Sequence, residues 1–574
     1  MIGSPRLPVF RPLGMLAVGI VALAACAPSP APVARSSADA GQAAPRSGGT
    51  LRLTWIAEPD NLSPKFIGGS GNSEWQWPFT STLTYLDMSR VPHPMIAQEI
   101  PTQANGGWVI NPDGTMVTTY RLRPNTTWHD GTALTAHDYV FAFEVYSDKD
   151  LPIVKLTPET LMDRVEAPDD HTLIVRWKQP YVGANVMGYE ALIPLPRHVH
   201  EAKYRANKAN FGTGEEWTTG FISTGPFKVE RWTPGVGILA TAHAGHAFGP
   251  PKIDALDIRF ITDIRTQVAN LLAGEADMIS SPSARAREAV IARDQWAASG
   301  DGYVKAWSTG APYVDWQLRD VPGWQRAIAD IRVRQALMHA IDRDGLNEAI
   351  NLGFVPVVHA FITPQDPLFA EVDRVIAKYP YDPNRSAALL AEAGWQRAAA
   401  AGLATNAAGQ TFDAEVMTTA SQEQQATIVS DNWKSAGLNS SIFVVPQARA
   451  RDGELGSNFT TARINNRSIA AENFVWTTDQ ISSPENRWTG GNRGGFSDAE
   501  VDRLQGIRVS SLDEGQRRQA TIAVLKRMTD LVAPMPILYS AEVIIARKYV
   551  VGPVGDTGEQ NGLTWNIHEW EIVR

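Results

Sequence analysis

At 574 residues the chain is long for one core and leaves room for roughly three to four folding units of about 150 residues each. Its 52 basic and 61 acidic residues, net −9, form no basic block interleaved with aromatics, which argues against a nucleic-acid surface. A single cysteine excludes an internal disulfide, and the 18 tryptophans, each read first as core, are the one unusual feature of an otherwise ordinary globular composition.

The first 26 residues read as an export address. Arg6 and Arg11 are their only charges, and the apolar run 13–25 is too short to span a bilayer but fits the h-region of a signal. Leu23-Ala24-Ala25-Cys26 resembles a lipobox, in which Cys26 is acylated and becomes the new N-terminus. The competing reading is an ordinary signal peptide cut nearby. With Cys26 spent on the anchor, no cysteine-built metal site or thiol chemistry remains in the body. Residues 27–47, rich in Ala, Pro and Ser without apolar periodicity, read as a flexible tether.

Order is expected from Gly48. Leu51, Leu53 and Trp55 alternate with polar residues, the period of a strand with one buried face, and a loop 58–64 follows. In Glu74-Trp75-Gln76-Trp77 the two tryptophans are two apart and would not share a helix face. Tyr120-Arg121-Leu122-Arg123 leads to Trp128-His129-Asp130-Gly131, a turn, and then to Thr135, the cap of a helix expected to bury Val140, Phe141 and Phe143. His129 and Asp130 sit at turn and cap positions and read as structural rather than chemical.

The most legible stretch is 224–278. Thr224-Gly225-Pro226-Phe227 enters a strand pair around Pro234-Gly235, and Leu256, Ile258 and Phe260 alternate with Asp257 and Arg259 as a third strand. The apolar set then becomes Ile264, Val268, Leu271 and Leu272, one face of a helix that Thr262 or Asp263 caps and Gly274 stops. His243 and His246 have a spacing a metal could use on a helix, but Gly245 breaks any regular face, and they read as solvent-exposed loop. Residues 303–316 read as a strand crossing into a second lobe. Asp330 caps a helix whose buried face is Val333, Ala336, Leu337, Ala340 and Ile341, with Arg332 and Arg334 solvated. Asp382-Pro383 starts another helix burying Leu389 and Leu390; 398–410 reads as surface loop; Ala426, Val429, Trp433 and Ala436 form a helical face before a strand 442–445. A helix 516–532 and a strand 535–539 lead back to the first lobe. Alternating helices and strands from 311 to about 530 read as an α/β lobe.

Several of these motifs together, the Thr-Gly-Pro-Phe entry, Gly274-Glu275-Ala276-Asp277 at the exit, the Trp128-His129-Asp130-Gly131 turn and the Asp330–Arg343 helix, resemble family 5 of the bacterial solute-binding proteins, the oligopeptide/dipeptide-type receptors of ABC importers. The resemblance implies an α/β fold of the type II periplasmic-binding-protein kind. Two lobes are joined by hinge strands, with an extra small domain inserted in the first. On this sequence it implies a first lobe from 48–90, 206–310 and 535–574, a small domain over 91–205 and a second lobe over 311–534. It implies a monomer at the cell envelope, held to the membrane by its lipid anchor. Its ligand would be a peptide or other small solute, and its partners inner-membrane permease subunits with cytoplasmic ATPases. No cofactor, metal or catalytic residue is implied.

Where peptide-binding members carry an acidic residue for the peptide amino terminus, this chain has Arg463-Ile464-Asn465-Asn466-Arg467, with no aligned carboxylate evident. Oligosaccharide, opine and metallophore ligands therefore stay open beside peptides. The residues expected to line the ligand are Trp75, Trp77, Tyr313, Trp316, Asn466, Trp476, Trp488 and Arg493. A periplasmic hydrolase is disfavoured because no Gly-x-Ser-x-Gly, His-Glu-x-x-His or phosphate loop is found. Turnover of a substrate without the permease would support it. A chaperone or non-transport receptor would instead keep its phenotype when the permease is deleted.

Overall fold

The computed structural model describes residues 48–574 apart from 64, 66–74, 89, 152–156, 189–190, 280–284, 400–401, 470–473 and 556–561. The export address, Cys26 and the tether lie outside the described residues, as do Pro64 and Glu74.

Phe227–Thr233 and Gly237–Ala242 pair antiparallel around the expected turn, where Gly235 supplies a left-handed φ of 71°. Ala255–Phe260 pairs antiparallel with the second of these strands and parallel with Thr50–Trp55, so that Leu51, Leu53, Leu256 and Ile258 share one core. Asp263 is the cap of the helix Ile264–Ala273, accepting from the Thr266 amide at 2.7 Å, and Gly274 ends it at φ 82°.

These strands belong to an eleven-stranded sheet. Its centre is the fifteen-residue strand Gly302–Trp316. That strand pairs with Ser540–Arg547 over its first part and with Ala462–Ser468 from Gly310 onward, the register shifting between Ser308 and Gly310. On one side of this handover the sheet continues through Ser540–Arg547, Met278–Ile279 and Thr50–Trp55 to the hairpin; on the other it continues through Ala462–Ser468 and Asp413–Thr419 to Asn439–Val445. The chain passes between the two halves near Gly310 and again before Ser540. Met535, Ile537, Leu538 and Tyr539 pack with the second half, so the return begins a few residues later than the expected 535.

The second half is cored on both faces, as a period of two requires. Val314, Trp316, Ala462 and Ile464 pack under the helices Ile331–His339, Pro383–Glu392 and Glu423–Ser435. Ala311 and Tyr313 pack on the other face with Phe361, Trp476 and the helices Ala499–Ser510 and Glu514–Asp530. A separate antiparallel sheet, in the order Trp108–Ile110, Met116–Arg121, Thr172–Trp177 and Met162–Asp169, falls within the expected inserted region. Its Tyr120 and Trp177 share a continuous core with Leu53. Thr135 and Asp138 form a capping box on Ala136–Ser147, and Tyr139, Phe141, Ala142 and Val145 are its buried face; Val140 and Phe143 are half-buried.

Three local expectations are corrected. Arg334 is buried, not solvated, because its guanidinium donates to the Val532, Leu531, Ile328 and Ala329 carbonyls at the ends of neighbouring segments. Residues 398–410 include the strand Ala404–Thr405, which pairs with Gln396–Arg397, rather than being loop throughout. The strand after the last long helix is Ser540–Arg547; Met535–Pro536 forms only a two-residue ladder.

Candidate functional site

Directly beyond the handover, register places Ala311 opposite Arg467, Tyr313 opposite Asn465 and Asp315 opposite Arg463. All six side chains share one face, because positions two apart on a strand do. The segment 476–496 lies over this face and brings Trp476, Trp488 and Arg493, while Arg319 follows the strand itself.

Asp315 is 1% exposed and neither of its oxygens accepts a hydrogen bond of ordinary geometry. Burial pushes its carboxyl up to about 6, against the pull of Arg463, the Gly494 amide, Arg467 and Arg319. Arg463 is 7% exposed, and its Nη1 has no hydrogen-bond partner among the described residues. Arg319 donates to the Ser482 carbonyl at 2.8 Å and the Arg493 carbonyl at 2.7 Å, also reaches the Ser457 carbonyl, and lies 6.0 Å from the Trp488 ring. Arg493 makes one long bond, 3.4 Å, to the Gly453 carbonyl. Burial and the neighbouring Arg463 lower its pKa. A Cβ at Gly494 would collide with the Trp316 carbonyl and Asp315 Oδ1, so that glycine is required by close approach; one at Gly456 would meet the tip of the Arg493 side chain.

Beside the charges stands an aromatic wall. Trp476 is 4.2 Å from Phe361, 5.3 Å from Phe474 and 5.4 Å from Tyr313, ring centre to ring centre. Trp488 is half-buried at φ 60°, a left-handed backbone that costs a bulky residue energy and is found where the surroundings over-determine it.

Four of the expected residues, Tyr313, Trp476, Trp488 and Arg493, thus come together. Tyr313 and Trp476 are almost wholly buried, at 1% and 2% exposure. Trp316 is on the opposite face, fully buried, stacked at 6.2 Å on Trp433 and donating from Nε1 to the Ala533 carbonyl; it is core. Asn466 shares the parity of Trp316, opposite Pro312, and is exposed, accepting from the Ser540 hydroxyl at 3.2 Å. Trp75 and Trp77 pack in two different places, and neither joins this group. Trp75 is half-buried 5.9 Å from Trp55, and Trp77 is buried with Met95 and Trp565, away from the arginines in packing terms. Asp315, Arg319, Arg463 and Arg467 were not among the expected residues. The signal for two of them was present: Arg463, Asn465 and Arg467 alternate with Ile464, a polar stripe on one strand face. Asp479 is exposed, with its carboxyl pKa lowered by the Thr477 side chain.

His243 and His246 are buried at 6% and 3% exposure, against the expected solvent-exposed loop. His243 Nδ1 donates to the Gly225 carbonyl at 3.1 Å and its Nε2 meets the Thr127 hydroxyl at 3.1 Å, so both ring nitrogens are engaged within the core. Among the described residues no group of three or more His, Cys, Asp or Glu is placed to hold a metal. No helix among them is long and apolar enough to cross a membrane.

Trp488→Ala is expected to weaken solute binding about tenfold while leaving the melting transition of the empty protein nearly unmoved, because a half-buried ring contributes little to the core. Titration calorimetry and differential scanning calorimetry on the same variant separate the two effects, and unchanged affinity removes Trp488 from the site.

With this geometry in place, the chain matches the model of the bacterial extracellular solute-binding proteins, family 5, middle region, over residues 98–498. It is 24% identical over 442 residues to the oligopeptide-binding protein AppA of Bacillus subtilis, covering 75% of each chain. It is 28% identical over 295 residues to an ABC transporter peptide-binding protein of Brucella ovis, an alignment over 50% of this chain that spans about half, 51%, of that relative. The solved structure of an oligopeptide-binding protein from Thermus thermophilus, complexed with a pentapeptide, superposes with a TM-score of 0.66 over 91% of this chain and 96% of that one. At 21% identity this is a likeness of fold.

Proposed function

Because the chain belongs to family 5 of the bacterial extracellular solute-binding proteins, we propose that it is the substrate-binding receptor of an ABC importer, taking a peptide between two closing lobes and presenting it to membrane permease subunits. The observation that carries this reading is the handover at Gly310. One continuous strand serves two separately cored halves, and a register shift marks the point where its partner changes. Two strand crossings of this kind let the halves rotate as rigid bodies while the cores stay intact. Ligand contacts made only in the closed form then shift the population toward it. The lobes are residues 48–90, 206–310 and 540–574 on one side and 311–539 on the other, with 91–205 inserted in the first.

A peptide ligand is supported by the Bacillus relative, named for oligopeptide binding, and by the pentapeptide in the Thermus structure. The role is capture and release rather than turnover. The protein works as a monomer at the extracytoplasmic face, held by an acylated Cys26 through the tether 27–47.

Native mass spectrometry of the protein purified gently from its exporting cells tests the reading. Co-purified masses spaced as amino-acid residues are expected. Hydrolysis of added peptides by the protein alone, with no retained mass, overturns it.

A further inference from the structure

Four guanidinium groups, Arg319, Arg463, Arg467 and Arg493, surround the single carboxylate of Asp315 on the face formed by the strands Gly302–Trp316 and Ala462–Ser468. A guanidinium cannot shed its charge by losing a proton, so a buried group of them is stable only if anions answer it. Asp315 answers one. Arg319 has its own partners, three backbone carbonyls and the Trp488 ring, and acts as a fixed strut. Arg467 bonds the Tyr313 hydroxyl. Arg463 is different: it is more than nine-tenths buried, and its Nη1 has no hydrogen-bond partner among the described residues. Arg493, beside it, holds a single long bond among the described residues, to the Gly453 carbonyl. Two forks with unused donors therefore stand next to each other, and a buried unmet donor is the costly state that a ligand relieves.

Resting on the receptor reading above, we propose that the solute is rich in carboxylates, an acidic peptide whose carboxylates are held by Arg463 and Arg493, with Arg467 beside them. The planar fork of each guanidinium matches a carboxylate in paired hydrogen bonds, which is the geometry a lysine could not supply. Asp315 stands opposite Arg463 in the strand register and supplies the one negative charge among these arginines. It also sets a limit, because a solute bringing a single weak acceptor would leave the excess positive charge unanswered. Trp488, half-buried beside Arg319, flanks the group and offers a flat apolar face to the remainder of the peptide, with the buried Trp476 packed behind.

The test is titration calorimetry of the purified full-length protein, freed of co-purified ligand, against Ala-Glu-Glu-Ala, Ala-Gln-Gln-Ala, Ala-Lys-Lys-Ala and the small polycarboxylate tricarballylate. The Glu peptide is expected to bind at least tenfold tighter than the Gln peptide, with the margin shrinking as salt rises, and the Lys peptide not to bind. In Arg493→Gln and Arg463→Gln the Glu-over-Gln margin is expected to fall at least tenfold. Arg493 is half-buried, so that variant is informative even if Arg463→Gln fails to fold. Equal binding of the Glu and Gln peptides overturns the anionic site and leaves the receptor reading intact. Binding of tricarballylate with no peptide bound supports the anionic site and overturns the peptide reading. An unchanged margin in both variants, or no binding of any probe, overturns the site.

Discussion

Trp316→Ala is expected to destabilise the second half of the molecule by about 3–5 kcal/mol, the range for deleting a large buried aromatic. The ring is fully buried, stacks on Trp433 at 22° between planes, and donates to the Ala533 carbonyl at 3.2 Å. Trp433 in turn donates to the Leu337 carbonyl at 3.1 Å, so the two indoles tie the central strand to the helices Glu423–Ser435 and Ile331–His339. Truncation leaves a cavity and an unmet carbonyl together. In a protein with separate cores the loss appears as one early unfolding step rather than a shift of the whole transition. Urea denaturation followed by circular dichroism reads it directly. A variant as stable as the parent but impaired in binding would return Trp316 to the ligand face.

Acid is expected to unfold the protein earlier than its carboxylates alone would require. Burial drives the pKa of His129 and His246 down to about 3, and that of His200, His359 and His568 down to about 4, from an ordinary 6.5. At His129 the structure shows why. Nδ1 accepts from the Ser223 amide at 3.2 Å and Nε2 donates to the Gly225 carbonyl at 3.2 Å, so a second proton would break the first bond and add charge beside His243. Between 6.5 and these folded values the unfolded chain takes up protons that the folded chain refuses. The stabilisation is therefore complete above 6.5 and is lost as pH falls toward 4 and then 3, each unit of depression being worth about 1.4 kcal/mol. Asp315 works the other way: with a folded value of about 6 above an ordinary 3.8, it adds stability as pH falls between the two. One such group stands against five histidines. The melting temperature is expected to be level above pH 7 and to fall steeply from 6.5 to 4, with a shallower slope in His129→Gln. A level profile down to pH 4 would contradict the burial of these rings.

Elements that close within a few residues were legible in the sequence. Asp263, Asp330 and Asp382 each cap the helix their spacing announced, because a cap, its first turn and an apolar stripe are local chemistry. Side-chain direction on the crossing strand was there to be read but was missed: Tyr313 and Trp316 are three apart and must face opposite ways, so both could not line one ligand. What sequence could not provide was register between segments some 150 residues apart, which sets Asp315 against Arg463 and turns a polar stripe into a cluster. Arg334 and the histidines at 243 and 246 were misplaced for a related reason. Their burial depends on groups brought by other segments: the Val532 carbonyl for Arg334, the Gly225 carbonyl and the Thr127 hydroxyl for His243, and the His568 ring beside His246.

The most direct test of a hinged, solute-capturing molecule is a distance measured across the handover. Val236, in the hairpin turn of one half, and Leu403, on the other, are 61% and 44% exposed, and with Cys26 replaced by serine each accepts a single spin label through cysteine. Electron–electron double resonance is then recorded without and with a mixture of short peptides. Conversion to a shorter, narrower distance distribution on adding peptide is the expected result. A distribution that does not change at saturating peptide would contradict the account.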